Sequence, residues 1–237
     1  MSPINNKIIP YENLHLLNQK WEQEFKTAFA NFLQNGWYIL GNEVKNFEEK
    51  FANYCRSPYC VGVANGLDAL EMGLQVFDFP AQSEIIVPSN TYIATILAII
   101  NAGHVPVLVE PNLKTYNIDE NKIEEKITSK TKAIMVVHLY GLMANMEAIT
   151  AIATKHHLEI IEDCAQAHGA KYKNQIAGTF GKIGAYSFYP TKNLGALGDA
   201  GAVITDDKAV YEKLIALRNY GSHKKYYNSY IGRNSRL

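Results

Sequence analysis

The spacing of hydrophobic residues along the chain changes its period after Tyr59. Apolar side chains first recur every three or four positions up to Gly36, and again from Val44 to Phe51, which predicts two helical segments. After that, short apolar runs alternate with segments of helical period. The runs that predict strands are VGVA, EIIVP, VPVLVE, AIMVVHL, LEIIED, GAYSFYP and AGAVITD. Strands that alternate with helices predict an α/β fold with a mainly parallel sheet between helices.

The composition is that of a globular chain that acts on a small partner. The 237 residues are 47% hydrophobic and 19% charged, and the 23 basic residues balance the 23 acidic ones, so nothing indicates binding to nucleic acid or an anionic membrane. Three cysteines without paired spacing argue against a disulfide framework, and the histidines, including His138 and His168, show no metal-ligand spacing. With no leader or membrane-spanning stretch in the sequence, we expect a cytoplasmic chain without a metal.

Polar residues follow four of the predicted strands, at the edge where α/β sheets bind ligands. The turn ANGLD (64–68) opens a helix, and helix N-termini suit phosphate groups. Tyr92, Asp163 and Lys192 follow three other strands. Each feature alone is more often structural: a turn, a core aromatic, a helix cap or a solvated lysine. Together they match the needs of pyridoxal phosphate, which are a phosphate site, a stacking ring, a carboxylate for the ring nitrogen and an amine that forms an imine.

The glycine-rich segment GALGDAG (195–201) follows the candidate lysine. It does not open a helix directly after a strand, so it lacks the context of a dinucleotide-binding loop. This disfavours a plain nucleotide-binding module. We expect the small residues to let the loop pack under a cofactor.

Motifs along nearly the whole chain resemble the sugar aminotransferases of the DegT/DnrJ/StrS group. The matching segments are WYILGNEV, ANGLDAL, VPSNTYIAT, VVHLYG, IIEDCAQAHGA, GAYSFYPTKNLGALGDAGAV, LRNYGS and GRNSRL. The resemblance implies the aspartate aminotransferase type I fold, whose large domain has a mostly parallel, seven-stranded sheet between helices. We predict an N-terminal helical segment over residues 1–40 and the domain that binds pyridoxal 5′-phosphate over residues 41–237. The small C-terminal domain of the family is expected to be missing from this chain.

The resemblance also implies roles for individual residues. Lys192 is similar to the Schiff-base lysine and Asp163 to the partner of the pyridine nitrogen. The other expected cofactor contacts are Gly66, Leu67, Tyr92, Gln166, Ser187 and Asn234. Asn234 is expected to reach the neighbouring subunit's cofactor phosphate across a homodimer interface. The expected substrate contacts are Tyr38, Tyr189, Lys224, Lys225 and Arg233. The three cations among them are expected to meet the phosphates of a nucleotide-linked sugar, with a solvated face as the alternative.

Within this group, WYILG, NTYIAT and NYGSHKKY resemble the enzymes of FdtB and QdtB type. This implies transfer of an amino group from glutamate to C3 of a dTDP-linked 3-keto-6-deoxyhexose, in deoxyaminosugar synthesis for O-antigens or S-layer glycans. Leu67 stands where the family often has Thr, and LMANM replaces a stretch that usually contains glutamine. The alternatives are a C4 sugar aminotransferase and a non-catalytic regulator on the same fold. A related sugar dehydratase would have His in place of Lys192.

Overall fold

The computed structural model describes residues 9–224 and 226–237. Contacts between residues divide the chain into two compact units. The first unit ends at Tyr38 and the second begins at Ile39, whereas the sequence predicted a boundary after residue 40. Within the described ranges, no helix combines the length and the apolar character needed to cross a membrane.

The first unit is helical. Helix α1 (Leu14–Asn18) is followed by a single 3-10 turn and then by α2 (Glu22–Asn35). The side chain of Asn13 caps α1 by accepting a hydrogen bond from the Leu16 amide. Helix α2 ends at Gly36, which has a φ of 68°. This left-handed conformation costs glycine little, and it ends the helix where the sequence predicted a stop.

Tyr38, a predicted substrate contact, lies in the first unit. Its hydroxyl donates to the carbonyl of Leu33 at 3.1 Å, and its ring lies 4.9 Å from that of Phe32. Within its own unit, Tyr38 therefore folds back onto the end of α2. Its role towards a substrate stays a prediction.

The second unit is built around a seven-stranded sheet. In chain order the strands are β1 (Tyr59–Val63), β2 (Glu84–Pro88), β3 (Val105–Val109), β4 (Thr131–Val137), β5 (Glu159–Asp163), β6 (Lys171–Tyr172), β7 (Gln175–Ile176), β8 (Ile183–Ser187), β9 (Gly201–Thr205), β10 (Ser222–Lys224) and β11 (Tyr227–Asn228). The sheet has the order β1-β9-β8-β5-β4-β2-β3. Strand β9 runs antiparallel to β1 and β8, whereas the pairs β5–β8, β4–β5, β2–β4 and β2–β3 are parallel. The predicted mostly parallel, seven-stranded sheet is confirmed.

Helices cover both faces of this sheet. They are α3 (Asn42–Cys55), α4 (Gly66–Gln75), α5 (Ile93–Asn101), α6 (Met146–His156) and α7 (Lys208–Leu217). Successive residues of β4 alternate between two buried clusters: Met135 packs with residues of α4, α5 and α7, and Ile134 packs with residues of α6. Because neighbouring side chains of a strand point to opposite faces, these two clusters lie on opposite faces of the sheet in a three-layer arrangement.

Candidate active site

A cavity of about 610 Å³ opens at the carboxyl ends of the parallel strands. The predicted site residues that line it are Gly66, Leu67, Tyr92, Asp163, Gln166, Ser187, Tyr189 and Lys192. These residues follow the ends of four different strands. The strand ends lie side by side because neighbouring parallel strands are in register: Asp163 lies opposite Val137 of β4 on one side and Ala185 of β8 on the other. The volume is in the range of small-molecule and cofactor sites. The structure therefore brings these predicted residues together around one cavity.

The first turn of α4 presents two backbone donors to the cavity. Asn65 caps this helix: its side chain accepts from the Asp68 amide at 2.8 Å, and its carbonyl accepts from the Ala69 amide at 3.1 Å. Within the described part of the chain, the amides of Gly66 and Leu67 have no hydrogen-bond partner. Both lie at the positive end of the helix dipole, so this turn is suited to an anionic group.

Two glycines allow the backbone to pass closely around this turn. A Cβ on Gly66 would lie 2.7 Å from the Cβ of Ser187, at the end of β8. A Cβ on Gly201 would lie 2.4 Å from the carbonyl oxygen of Asn65. The sequence predicts that the small residues of 195–201 let this loop pack under a cofactor. Gly201 makes room for the turn after β1, and the expectation that the loop packs under a cofactor stays a prediction.

Lys192 is half-buried on the cavity wall. Hydrogen bonds from Lys192 and from the next residue hold its loop in place. Its amide donates to the carbonyl of Tyr189 at 2.8 Å. The side chain of the next residue, Asn193, makes two contacts with His168: its oxygen lies 2.8 Å from Nδ1 of the histidine, and its NH₂ group donates to the histidine carbonyl at 3.3 Å. The segment that carries the lysine is thereby fastened to the segment that follows Asp163.

Asp163 is buried at the inner end of the cavity, with 7% of its surface exposed. One carboxylate oxygen accepts from the Ala165 amide at 3.1 Å, and the other accepts from the hydroxyl of Thr95 at 2.8 Å. Burial raises the pKa of Asp163; the two donors, together with Lys192 and His138, lower it without cancelling that rise. Sequence reasoning missed Thr95, although it lies in the motif NTYIAT, because the pairing joins α5 to β5.

The side chains of Gln166 and Tyr92 complete the walls. The side-chain oxygen of Gln166 accepts from the Tyr140 amide at 2.7 Å, and Tyr140 has a left-handed φ of 54°. Because the oxygen is engaged, the NH₂ group is the end of the Gln166 side chain that can donate to a ligand. Tyr92 lies just before α5, lines the cavity and is 71% exposed, so its ring is accessible to a ligand.

Arg233, a predicted phosphate contact, is engaged elsewhere. Its guanidinium forms an ion pair with Glu71 of α4, which is almost fully buried. The other oxygen of Glu71 accepts from the Asn101 side chain at 2.5 Å. A buried acid needs such a partner, so the pair fastens the C-terminal segment to α4. Among the described residues that line the cavity, Arg233 is absent.

Lys224 and Asn234 are likewise absent from the described residues that line the cavity. Lys224 ends β10, and its ammonium lies 5.3 Å from the centre of the Tyr227 ring. Asn234 is exposed and forms a backbone bridge with Asn219. Lys225 lies outside the described residues. The roles of these residues stay predictions.

Next to Asp163, the side chains of His138, Glu162 and Cys164 form a buried group whose ligand-type atoms lie within 4.8 Å of one another. The Glu162 carboxylate accepts four hydrogen bonds, from Nε2 of His138 and from the amides of Gly178, Phe180 and Gly181. The other ring nitrogen of the histidine accepts from the Ala144 amide at 3.2 Å. Protein donors occupy both Glu162 oxygens and Nδ1 of His138, and the thiol of Cys164 donates to the Glu162 carbonyl, so the three residues form a hydrogen-bond cluster.

Comparisons with known proteins agree with this geometry. The family described as the DegT/DnrJ/EryC1/StrS aminotransferase family matches residues 19–237. The dTDP-3-amino-3,6-dideoxy-α-D-galactopyranose transaminase of Aneurinibacillus thermoaerophilus is 58% identical over 230 residues, which are 97% of this chain and 63% of that protein. The crystal structure of S. venezuelae DesV in complex with a ketimine intermediate has a TM-score of 0.94 at 44% identity, covering 97% of this chain and 62% of that one.

A third similar structure is that of NtdA from Bacillus subtilis with bound cofactor PMP. Its TM-score is 0.91 at 32% identity, covering 98% of this chain and 54% of that one. The chain thus spans between about half and two thirds of the length of these three relatives. On the extent of the family match and the identity to its relatives, the chain belongs to the DegT/DnrJ/EryC1/StrS aminotransferase family.

Proposed function

We propose that this chain binds pyridoxal 5′-phosphate and that the protein transfers an amino group from glutamate to C3 of a dTDP-linked 3-keto-6-deoxyhexose. The observation that carries the proposal is the arrangement of Lys192, the buried Asp163 carboxylate and the two α4 amides around one cavity. Family membership supports it, as do the name of the Aneurinibacillus relative, a dTDP-sugar transaminase, and the PMP in the NtdA structure.

The residues present fit this cofactor. The Gly66 and Leu67 amides and the hydroxyl of Ser187 offer donors to a phosphate, and the missing Cβ at Gly66 lets Ser187 lie against the same turn. Tyr92 offers a ring face, and Asp163 offers a carboxylate for a protonated ring nitrogen. An anion site, a flat surface and a buried acid on one wall match the three chemical parts of the cofactor.

In the proposed mechanism, Lys192 would hold the cofactor through its amine, and an amino donor would take the place of this amine during the reaction. The freed Nζ of Lys192 would then serve as the base that removes the proton from the Cα of the donor and as the acid that gives this proton back. Pyridoxal phosphate supplies the electron sink that makes this proton acidic. The carboxylate of Asp163 holds the proton on the ring nitrogen, and the NH₂ group of Gln166 donates to the ring substituents. Reversal of the steps delivers the amine to the keto sugar.

We further propose a cytoplasmic homodimer in which the exposed Asn234 reaches the partner's cofactor phosphate. Lys224 and Lys225 are proposed to meet the phosphates of the nucleotide. Arg233 would first have to leave its ion pair with Glu71, so the lysines carry this part of the proposal. Light scattering that detects only monomer at working concentration would contradict the dimer.

Borohydride trapping tests the proposed cofactor site. We expect the chain to develop a visible absorbance band with pyridoxal phosphate, and we expect reduction to fix the cofactor to the peptide that contains Lys192. Lys192→Ala should abolish the adduct. Lys182→Ala is the matched control, because Lys182 is a partly buried lysine that lies outside the cavity wall. An adduct on another lysine contradicts the assignment.

A substrate competition tests the regiochemistry. dTDP-linked 3-keto and 4-keto sugars are offered side by side with glutamate, and NMR identifies the carbon that carries the new amine. Amination at C4 alone would replace the C3 proposal with the C4 alternative. A coloured protein that converts no glutamate to 2-oxoglutarate would instead favour the non-catalytic regulator.

A further inference from the structure

Two hydroxyl groups, joined to each other by a hydrogen bond, connect the cavity wall to the buried carboxylate of Asp163. The Oγ1 of Thr91, which lines the cavity, lies 2.7 Å from the Oγ1 of Thr95. Thr95 in turn lies 2.8 Å from the Oδ2 of Asp163 and is only 1% exposed. The proposed mechanism does not use either threonine.

The chemistry of the groups fixes the direction of this chain. An ionised carboxylate can only accept, so Thr95 must donate its single hydroxyl proton to Asp163. The contact between the two threonines then needs Thr91 as the donor. With the Ala165 amide on Oδ1, each oxygen of Asp163 has one protein donor and keeps a lone pair for another.

The charged and titratable groups near Asp163 do not replace this hydroxyl. Lys192 follows β8 and acts on the carboxylate through its charge. His138 follows β4, and its two ring nitrogens are engaged by Glu162 and the Ala144 amide; the thiol of Cys164 is the neighbour of Asp163 in the chain. Within the described part of the chain, Thr95 is the one side chain that hydrogen-bonds to Asp163. The orientation of the carboxylate therefore depends on it.

We infer that Thr95 is a positioning residue for the amine transfer: its hydroxyl holds the Asp163 carboxylate so that the remaining lone pairs face the ring nitrogen of the cofactor, and Thr91 supports it. This inference rests on the proposed function. Valine has the shape of threonine without the hydroxyl, so Thr95→Val would leave Oδ2 without its protein donor. Thr95→Ser would keep the donor.

The test compares two ligands that differ at one atom. Dissociation constants are measured for pyridoxal phosphate and for its 1-deaza analogue, in which a carbon replaces the ring nitrogen. Thr95→Val should weaken binding of pyridoxal phosphate about tenfold, the effect of one hydrogen bond to a charged group. It should leave binding of the analogue unchanged, and Thr95→Ser should restore the parent affinity.

Two further variants bracket the expected effect. Thr91→Val should weaken pyridoxal phosphate binding less than Thr95→Val does, because the bond between Thr95 and Asp163 remains. Thr131→Val removes an equally buried hydroxyl at the other end of the sheet and should change neither affinity. If circular dichroism shows that Thr95→Val does not fold, Thr95→Ala takes its place.

Equal weakening for both ligands would overturn the inference, because it would mean that Thr95 only shapes the cavity. Unchanged affinity for pyridoxal phosphate in Thr95→Val would overturn it as well. A parent chain that binds neither ligand would contradict the proposed function instead. In that case carbon-detected NMR of the ligand-free chain decides: the pKa of Asp163 should rise in Thr95→Val, and an unchanged titration would overturn the inference.

Discussion

Glu162 and Asp163 are neighbours on β5, and both are buried, yet their surroundings differ. The side chains point to opposite faces of the sheet. Glu162 accepts four hydrogen bonds from the protein, one for each of its lone-pair sites. Asp163 accepts two and lines the cavity. The two adjacent acids therefore have different roles. Glu162, whose lone pairs are all occupied by protein donors, stabilises the fold, whereas Asp163 has lone pairs left to accept a hydrogen bond from a ligand.

The four hydrogen bonds of Glu162 also show which parts of the fold this carboxylate connects. Its donors come from the segment 178–181 before β8 and from His138 after β4, so it ties the strands on either side of β5 together. Loss of this carboxylate should affect the stability of the fold, whereas loss of Asp163 should affect the chemistry.

The largest expected effect is on the reaction. Asp163→Asn should lower the rate of the glutamate half-reaction by about 100- to 1,000-fold, because the ring nitrogen loses its charged partner. Single-turnover formation of 2-oxoglutarate measures this rate. Glu159→Gln, at the opposite end of β5, is the control and should react at the parent rate. An unchanged rate in Asp163→Asn would remove the contrast between the two neighbouring acids.

The next effect is on stability. Glu162→Gln should lower the free energy of unfolding by about 3 kcal/mol, because an NH₂ group then faces backbone donors in a buried site. Urea unfolding measures the change. Asp163→Asn in the same assay should not destabilise the chain. If Glu162→Gln is as stable as the parent, the four hydrogen bonds do not have the structural role assigned to them.

A smaller effect is expected at the first turn of α4. Gly66→Ala should weaken binding of pyridoxal phosphate about tenfold, or 1.4 kcal/mol, because the new Cβ meets Ser187 beside the phosphate donors. Gly73→Ala is a close control: on the same helix, its Cβ would lie 2.7 Å from a methyl group of Ile183. It should lower stability and leave cofactor affinity unchanged. Equal affinity losses would mean that Gly66 acts only through the fold.

The smallest expected effect is a dependence of stability on pH. Burial raises the pKa of Asp163, so the folded chain holds this proton more tightly than the unfolded chain. The parent should therefore lose stability relative to Asp163→Asn as the pH rises above about 3.9, the ordinary pKa of aspartate. Urea unfolding of both proteins across this range measures the difference. A constant difference would contradict the raised pKa.

The strands were predictable because their signal is local. Each apolar run carries its own pattern, and the end of a run marks which polar residue reaches the sheet edge, as with Asp163 after LEIIE. The same run could not reveal the saturation of Glu162, whose donors lie at positions 178 to 181. The sequence thus located both acids but could not distinguish their environments.

Side-chain partners across elements were the part of the site that could not be predicted. Thr95 was visible only as one residue of NTYIAT, and its bond to Asp163 depends on how α5 packs over the sheet. Arg233 resembled a free cation, whereas the fold pairs it with Glu71 of α4. In both cases the partners are more than sixty residues apart in the sequence. The spacing of hydrophobic residues predicts helices and strands but not such long-range side-chain pairs.

The position of Gly201 beneath the Asn65 carbonyl has a consequence for how the chain folds. Strand β1 lies at one edge of the sheet and pairs with β9, so residues 59–63 can join the sheet only when residues 201–205 are in place. Such long-range pairing slows folding. The first strand in the chain is then among the last to be incorporated, and the turn after it is supported only when β9 is in place. Capture of a phosphate ligand would therefore report, during refolding, the moment at which the sheet is complete.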